Sequence, residues 1–144
     1  MATVAQIMNK QPQSIGPSTS IRSAAKKMRE LRVGSLLVKK GKNHVGIVTD
    51  TDLVRKALAT NQDVTKLTVE KIMSSPLCTI EGSQAVDDAQ DMMGDLGVRH
   101  LAVTKAGAIV GVVSVRDLLL FYKRYAQSKI STDVNYSEPK IGQD

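Results

Sequence analysis

Shifted by 65 residues, so that Thr3 meets Thr68, the chain lies on itself without a gap. Thr3, Val4, Ile7 and Met8 fall on Thr68, Val69, Ile72 and Met73; Ile15 and Ser18 fall on Ile80 and Ser83. Ala24, Met28 and Leu31 meet Ala89, Met93 and Leu96, and Val33, Leu36, Val38 and Lys40 meet Val98, Leu101, Val103 and Lys105. Gly46, Val48, Asp52 and Leu53 close the series on Gly111, Val113, Asp117 and Leu118. Most matched positions are apolar, so the repeated object is a core, and a repeated core constrains the architecture more than any single motif can.

Each copy reads the same way. A short segment ends in Met8 or Met73, a proline follows, and an extended stretch surrounds Ile15 or Ile80. Apolar residues then recur at helical spacing: Ile21, Ala24, Ala25, Met28 and Leu31, or Val86, Ala89, Met92, Met93 and Leu96. Ser and Thr residues ahead of each helix can cap its free amides. The runs VGSLLVKK and HVGIVT, and VRHLAVTK and AIVGVVSV, predict hairpins closed at GKN and AG. A second helix starts at Asp52 or Asp117. The expectation is an α/β fold of two tandem β-α-β-β-α units over residues 1–60 and 68–127, joined by a linker at 61–67 and followed by a mobile tail at 128–144. One unit of about 60 residues with a three-stranded sheet buries too little surface alone. Two units packed sheet to sheet about a pseudo-two-fold axis remedy that, and the symmetry creates two equivalent clefts.

The last strand of each copy enters its helix through one pattern, Gly-x-x-(Ser/Thr)-x-x-Asp: Gly46 to Asp52 and Gly111 to Asp117. It sets a hydroxyl (Thr49, Ser114) and a carboxylate (Asp52, Asp117) at a strand-to-helix turn on the edge of a cleft. A carboxylate there can accept both hydroxyl protons of a ribose, and helix-terminal amides with a hydroxyl can hold a phosphate oxygen. The same residues also suit a plain helix cap. The pattern alone leaves both readings open.

Composition narrows the remaining classes. With one Phe, three Tyr and no Trp among 144 residues, the core must be aliphatic. Apolar runs such as Leu118 to Leu120 fall far short of a membrane span. The opening MATVAQIMNK lacks a basic head followed by an apolar stretch, so no secretory signal is expected. Cys78 is the single cysteine, which excludes an internal disulfide and suits a reducing, cytoplasmic setting. The net charge of +6 is uneven: Arg22, Lys26, Lys27, Arg29 and Arg32 crowd one helix, whereas Asp87, Asp88, Asp91 and Asp95 crowd its counterpart. The basic helix admits a nucleic-acid-binding or ligand-independent interaction module as the alternative function, but the aromatic platforms on which bases stack are absent. No phosphate-binding loop, activated nucleophile or metal-ligand spacing is present, so neither a catalytic nor a metal site is expected.

Taken together, the Met-then-Pro openings (Met8 with Pro12, Met73 with Pro76), the GSLLV and VRHLAV strands and the two terminal motifs resemble the cystathionine-β-synthase-type (CBS) domain family, over roughly residues 2–125 in two copies. The resemblance implies a paired, non-catalytic regulatory module that binds AMP, ADP, ATP, S-adenosylmethionine or a related adenosine ligand between the copies. It also implies a disc-like homodimer and a regulated partner protein whose identity stays open, as in energy sensing. Carried onto this chain, it assigns Asp117 to the ribose, Ser114 to a phosphate, Arg99 and His100 to phosphates, and Val33, Gly34, Ser35 with Gln13, Ser14 and Ile15 to the adenine. In the second site, Asp52 and Thr49 take those parts, with Leu77, Cys78, Thr79, Ile80 and Val98 lining the base. Gly34-Ser35 stands where the other copy has Arg99-His100, so the Asp117 site is expected to be the tighter one. Cys78 is expected to be a small buried filler of its cleft.

Overall fold

The computed structural model describes residues 1–129; of the expected tail, residues 130–144 lie outside the described residues. In chain order the elements are α1 (Val4–Ile7), β1 (Ser14–Ile15), α2 (Ile21–Leu31), β2 (Ser35–Lys40), β3 (Asn43–Thr49) and α3 (Asp50–Asp52), which runs into a π-helical turn at Leu53–Leu58. After a 3-10 turn at Val69–Lys71 come β4 (Thr79–Glu81), α4 (Val86–Leu96), β5 (His100–Lys105), β6 (Ala108–Ser114) and α5 (Val115–Lys129). The expected α/β repeat is there, with a helical turn ahead of each copy.

Helix α2 forms where Ile21, Ala24 and Met28 recur about one turn apart, giving one stripe to bury while Arg22, Lys26 and Arg29 stay in water. The Ser20 hydroxyl caps it, accepting from the Ser23 amide at 3.1 Å. Helix α4 buries Val86, Ala89 and Met93 in the same manner. Its preceding residue, Ala85, has no hydroxyl to cap the Asp88 amide; only the reverse bond is made, the Asp88 carboxylate accepting from the Ala85 amide at 3.3 Å. Both helices stop in a left-handed residue, Arg32 (φ 55°) or Gly97 (φ 66°).

The hairpins pair antiparallel, and the short β1 and β4 add in parallel to β2 and β5, giving sheets ordered β1-β2-β3 and β4-β5-β6. Strand alternation then feeds two cores at once. Leu36, Val38 and Val48 face α2; Leu101, Val103 and Val113 face α4. Between them, Leu37, Ile47, Ala102 and Val112 form a separate cluster that joins the two sheets face to face. These four are two repeat-related pairs, so the sheet contact sits on the pseudo-two-fold axis.

The opening segment of each copy crosses to the other copy. Val4 and its neighbours Ala2, Ile7 and Met8 pack in the α4 core, whereas Leu67, Val69, Ile72 and Met73 pack in the α2 core. Matching hydrogen bonds fix both crossings: Val4 N–H donates to the Gln84 carbonyl and Val69 N–H to the Thr19 carbonyl, each at 2.9 Å. Asn9 bridges β6 at Val112, and Ser74 bridges β3 at Ile47.

This exchange accounts for the first residue of the repeated motif. A Cβ on Gly111 would lie 2.5 Å from Met8 Sδ and 2.7 Å from the Asn9 carbonyl; on Gly46 it would lie 2.7 Å from Met73 Sδ and 2.8 Å from the Ser74 carbonyl. The glycines are needed for the close pass of the exchanged segments. Gly94 within α4 has nothing within 4 Å of such a Cβ. Gly111→Ala should therefore lower stability by about 1–3 kcal/mol, whereas Gly94→Ala should raise it by up to about 1 kcal/mol. Urea unfolding of the two variants checks this opposition of sign.

Candidate functional site

The pseudo-two-fold arrangement leaves two clefts between the copies. The larger, about 680 Å³, opens between the β6–α5 turn and the segment that follows α2. Ser114, Val115, Arg116 and Asp117 line one wall; Arg32, Val33, Gly34 and Ser35 line the other; Asn9, Gln13, Asp50, Arg99 and His100 add polar groups, and Pro12, Leu37, Val112, Leu119 and Leu120 apolar ones. The smaller, about 200 Å³, is lined by Thr49, Thr51, Asp52, Arg55, Ser74, Pro76, Cys78, Gly97 and Val98, and shares Arg99 and His100 with the first.

The β6–α5 turn holds its carboxylate firmly. Asp117 Oδ2 accepts from the Ser114 amide at 2.8 Å and from the Ser114 hydroxyl at 3.0 Å, and the Asp117 amide donates back to Ser114 Oγ at 3.2 Å. Oδ1 carries no hydrogen bond among the described residues. Capping therefore engages one oxygen and leaves the other open to a ligand. In the other copy Asp52 Oδ2 accepts from the Thr49 amide at 3.0 Å, but Oδ1 is paired with Lys56 Nζ at 3.0 Å. Lys56 is also bonded to the Ile72 carbonyl at 3.3 Å, in the exchanged segment. Phe121, the counterpart of Lys56, packs in the α4 core and cannot make that pair. The two carboxylates are thus unequal in charge as well as in the space before them.

His100 lies where both clefts meet. Its Nδ1 is buried without a hydrogen-bond partner among the described residues. Burial pushes the imidazole below its ordinary value of 6.5, against the opposing pull of Asp50 and Asp117. Gly34 leaves the room for this: a Cβ there would stand 3.2 Å from Asp50 Oδ2 and 3.5 Å from His100 Nε2.

Of the residues singled out from sequence, Asp117, Ser114, Arg99, His100, Val33, Gly34, Ser35 and Gln13 line one cleft, and Asp52, Thr49, Cys78 and Val98 line the other. Ser14, Ile15, Leu77, Thr79 and Ile80 line neither. Ile15 packs against the α2 core and Ile80 is buried in the α4 core, because strand alternation turns them inward. Leu77 packs on the cluster between the sheets, and Ser14 and Thr79 are exposed strand residues. Cys78 is exposed, not a buried filler. Sequence reasoning missed Arg32, Asp50 and Arg116. The alignment of Arg32 with Gly97, a position that wants a left-handed backbone, was the signal available for the first.

The family model of the CBS domain matches residues 4–59 and 69–124. The chain belongs to the CBS-domain family. A 17.7 kDa protein of Acidianus ambivalens is 40% identical over 121 residues, covering 82% of this chain and 72% of its own length. Hypoxic response protein 1 of Mycobacterium tuberculosis is 26% identical over 119 residues, covering 82% and 83%. Among solved structures, a conserved protein of Pyrococcus horikoshii superposes with a TM-score of 0.80 at 30% identity, covering 85% of this chain and 93% of that one. The CBS domain pair of protein MJ0100, solved in complex with 5′-methylthioadenosine and S-adenosyl-L-methionine, has a TM-score of 0.79 at 27% identity, covering 87% and 98%. CBS pairs are typically regulatory modules. No helix among the described residues is long and apolar enough to cross a membrane.

The His100 geometry has a consequence for acid stability. Because the folded imidazole gives up its proton more readily than the unfolded one, the unfolded chain binds more protons once the pH falls below about 6.5. Stability should therefore decline as pH falls through that value, and His100→Gln should remove this part of the slope. Thermal melts of both proteins between about pH 7.5 and pH 5.5 measure it; parallel profiles would show that His100 does not contribute.

Proposed function

We propose that the chain is a non-catalytic regulatory module that takes up one adenosine-containing ligand in the Asp117 cleft and signals its presence to a partner protein. The observation that carries this reading is one cleft that combines two carboxylates, Asp50 and Asp117, with three guanidinium groups, Arg32, Arg99 and Arg116. Carboxylates accept from hydroxyl and amino groups; guanidinium groups donate to oxyanions. A nucleotide presents both ends. Asp117 Oδ1 takes the ribose hydroxyls, Arg99 and His100 the phosphate end, and the backbone of Val33 to Ser35 with Gln13 the base. The cleft volume falls in the range that encloses small organic ligands, about 300–1,000 Å³, and the Asp52 cleft falls below it. The Asp52 site is accordingly weak or vacant toward the same ligand.

Because the cleft walls come from different copies, ligand fixes one copy against the other, which is a change that a partner can read. Pairing of two chains into a homodimer suits the exposed Leu31 and Leu96, and Val54 and Leu119, which occupy repeat-related positions on the outer helices. We place the module in the cytoplasm, in keeping with its single thiol.

Calorimetric titration with AMP, ADP, ATP and S-adenosylmethionine tests the reading. Saturable binding of at least one, at one site per chain, is expected. Asp117→Asn should weaken it by about 10- to 100-fold, the loss of charge-assisted bonds to the ribose, whereas Asp52→Asn should leave it nearly unchanged. A folded wild-type protein that binds none of the four would overturn the adenosine reading.

A further inference from the structure

Arg32 ends α2 in the left-handed region, φ 55° and ψ 44°. Its repeat counterpart, Gly97, adopts φ 66°. Glycine enters that region freely; a side chain with a Cβ does so against steric resistance. The helix end itself does not call for arginine. The cap is made by backbone alone: the Arg32 amide reaches the Arg29 and Met28 carbonyls, and the Val33 amide reaches the Met28 carbonyl, as the Val98 amide reaches Met93 in the other copy. The guanidinium makes no ion pair or hydrogen bond among the described residues, and it lines the larger cleft.

Two further guanidinium groups line that cleft from other elements, Arg99 ahead of β5 and Arg116 in the first turn of α5. Neither has an ion pair among the described residues. Three such groups, each a planar fork of donors, carry more positive charge than the roughly two negative charges of one terminal phosphate balance, whereas a di- or triphosphate brings about three or four. A sulfonium ligand would bring a positive charge toward the same cations.

We infer that Arg32 is a ligand-binding residue that reads the charge of the anionic end, making the Asp117 cleft selective for a nucleoside di- or triphosphate over a monophosphate or a sulfonium compound. The inference rests on the adenosine reading above for the base and ribose, and on the arginines for the charge. Asp50 opposes an anion at this cleft; it stands beside Gly34 and His100, on the wall that also carries Arg32, so the net attraction there is the surplus of three guanidinium groups over the carboxylates.

Arg32→Gly separates a ligand role from a structural one, because it supplies the residue that the backbone favours. In the absence of ligand, the variant should melt at the wild-type temperature or above it. Its affinity for ATP should fall roughly tenfold, its affinity for AMP by less than about threefold, and the wild type should bind ATP more tightly than AMP or S-adenosylmethionine. Equal losses for ATP and AMP, or a wild type that holds AMP as tightly as ATP, would overturn the inference and leave the adenosine reading standing. Inorganic tripolyphosphate serves as the probe without a base. If no adenosine compound binds but tripolyphosphate does, more weakly in Arg32→Gly, the charge reading survives and the base assignment fails. If tripolyphosphate and all four adenosine compounds leave the wild type untouched, both fall.

Discussion

Everything else in this molecule depends on burying each small sheet on both faces. A three-stranded sheet with one helical layer leaves its second face wet, and the alternation of Leu36, Leu37 and Val38 makes both faces apolar. The contact of Leu37 and Ile47 with Ala102 and Val112 resolves that problem for both copies at once. The pairing of bulky Leu37 with small Ala102 at equivalent positions lets the two sheets interdigitate where two identical residues would collide or leave a void. Once the sheets are set back to back, the strand-to-helix turns of one copy necessarily face the segment after the first helix of the other, and the clefts follow.

The repeat made the architecture legible, because the matched positions share one order of elements and one core pattern. It could not show which core each opening segment would join. Val4 and Val69 are the same residue in the same context, so apolar pattern alone lets either fit either core; the backbone bonds of Val4 to Gln84 and Val69 to Thr19, with the bridges of Asn9 to Val112 and Ser74 to Ile47, distinguish them. The motif gives a reason for its hydroxyl and its carboxylate but none for its glycine; the tight contacts of Gly111 and Gly46 lie against Met8 and Met73.

The site was legible where it depends on residue type at a fixed turn. Ser114 and Asp117, Arg99 and His100, and Val33 to Ser35 are all drawn into one cleft. It was illegible where it depends on which side of a strand faces inward, as with Ile15 and Ile80, whose side chains pack in the cores, and where a residue reaches the cleft from a helix end or a helix start, as with Arg32 and Arg116. The inequality of the clefts was expected from Gly34-Ser35 against Arg99-His100, yet both clefts share Arg99 and His100. The difference resides in Lys56 on the Asp52 carboxylate and in the space available.

The crossing of the opening segments also bears on how the chain comes into being. During synthesis from the N-terminus, the α2 core stays incomplete until residues 67–73 have emerged. Residues 2–8 must wait longer still, until the β5–β6 hairpin exists to receive them. The α2 core can close once residue 73 is out, but the sheet face that carries Leu37 and Ile47 stays uncovered until β5 and β6 follow. The first sixty residues must therefore spend the interval as a partly assembled sheet with an exposed edge at β3, the stage at which such a chain is most open to aggregation or to capture by a chaperone.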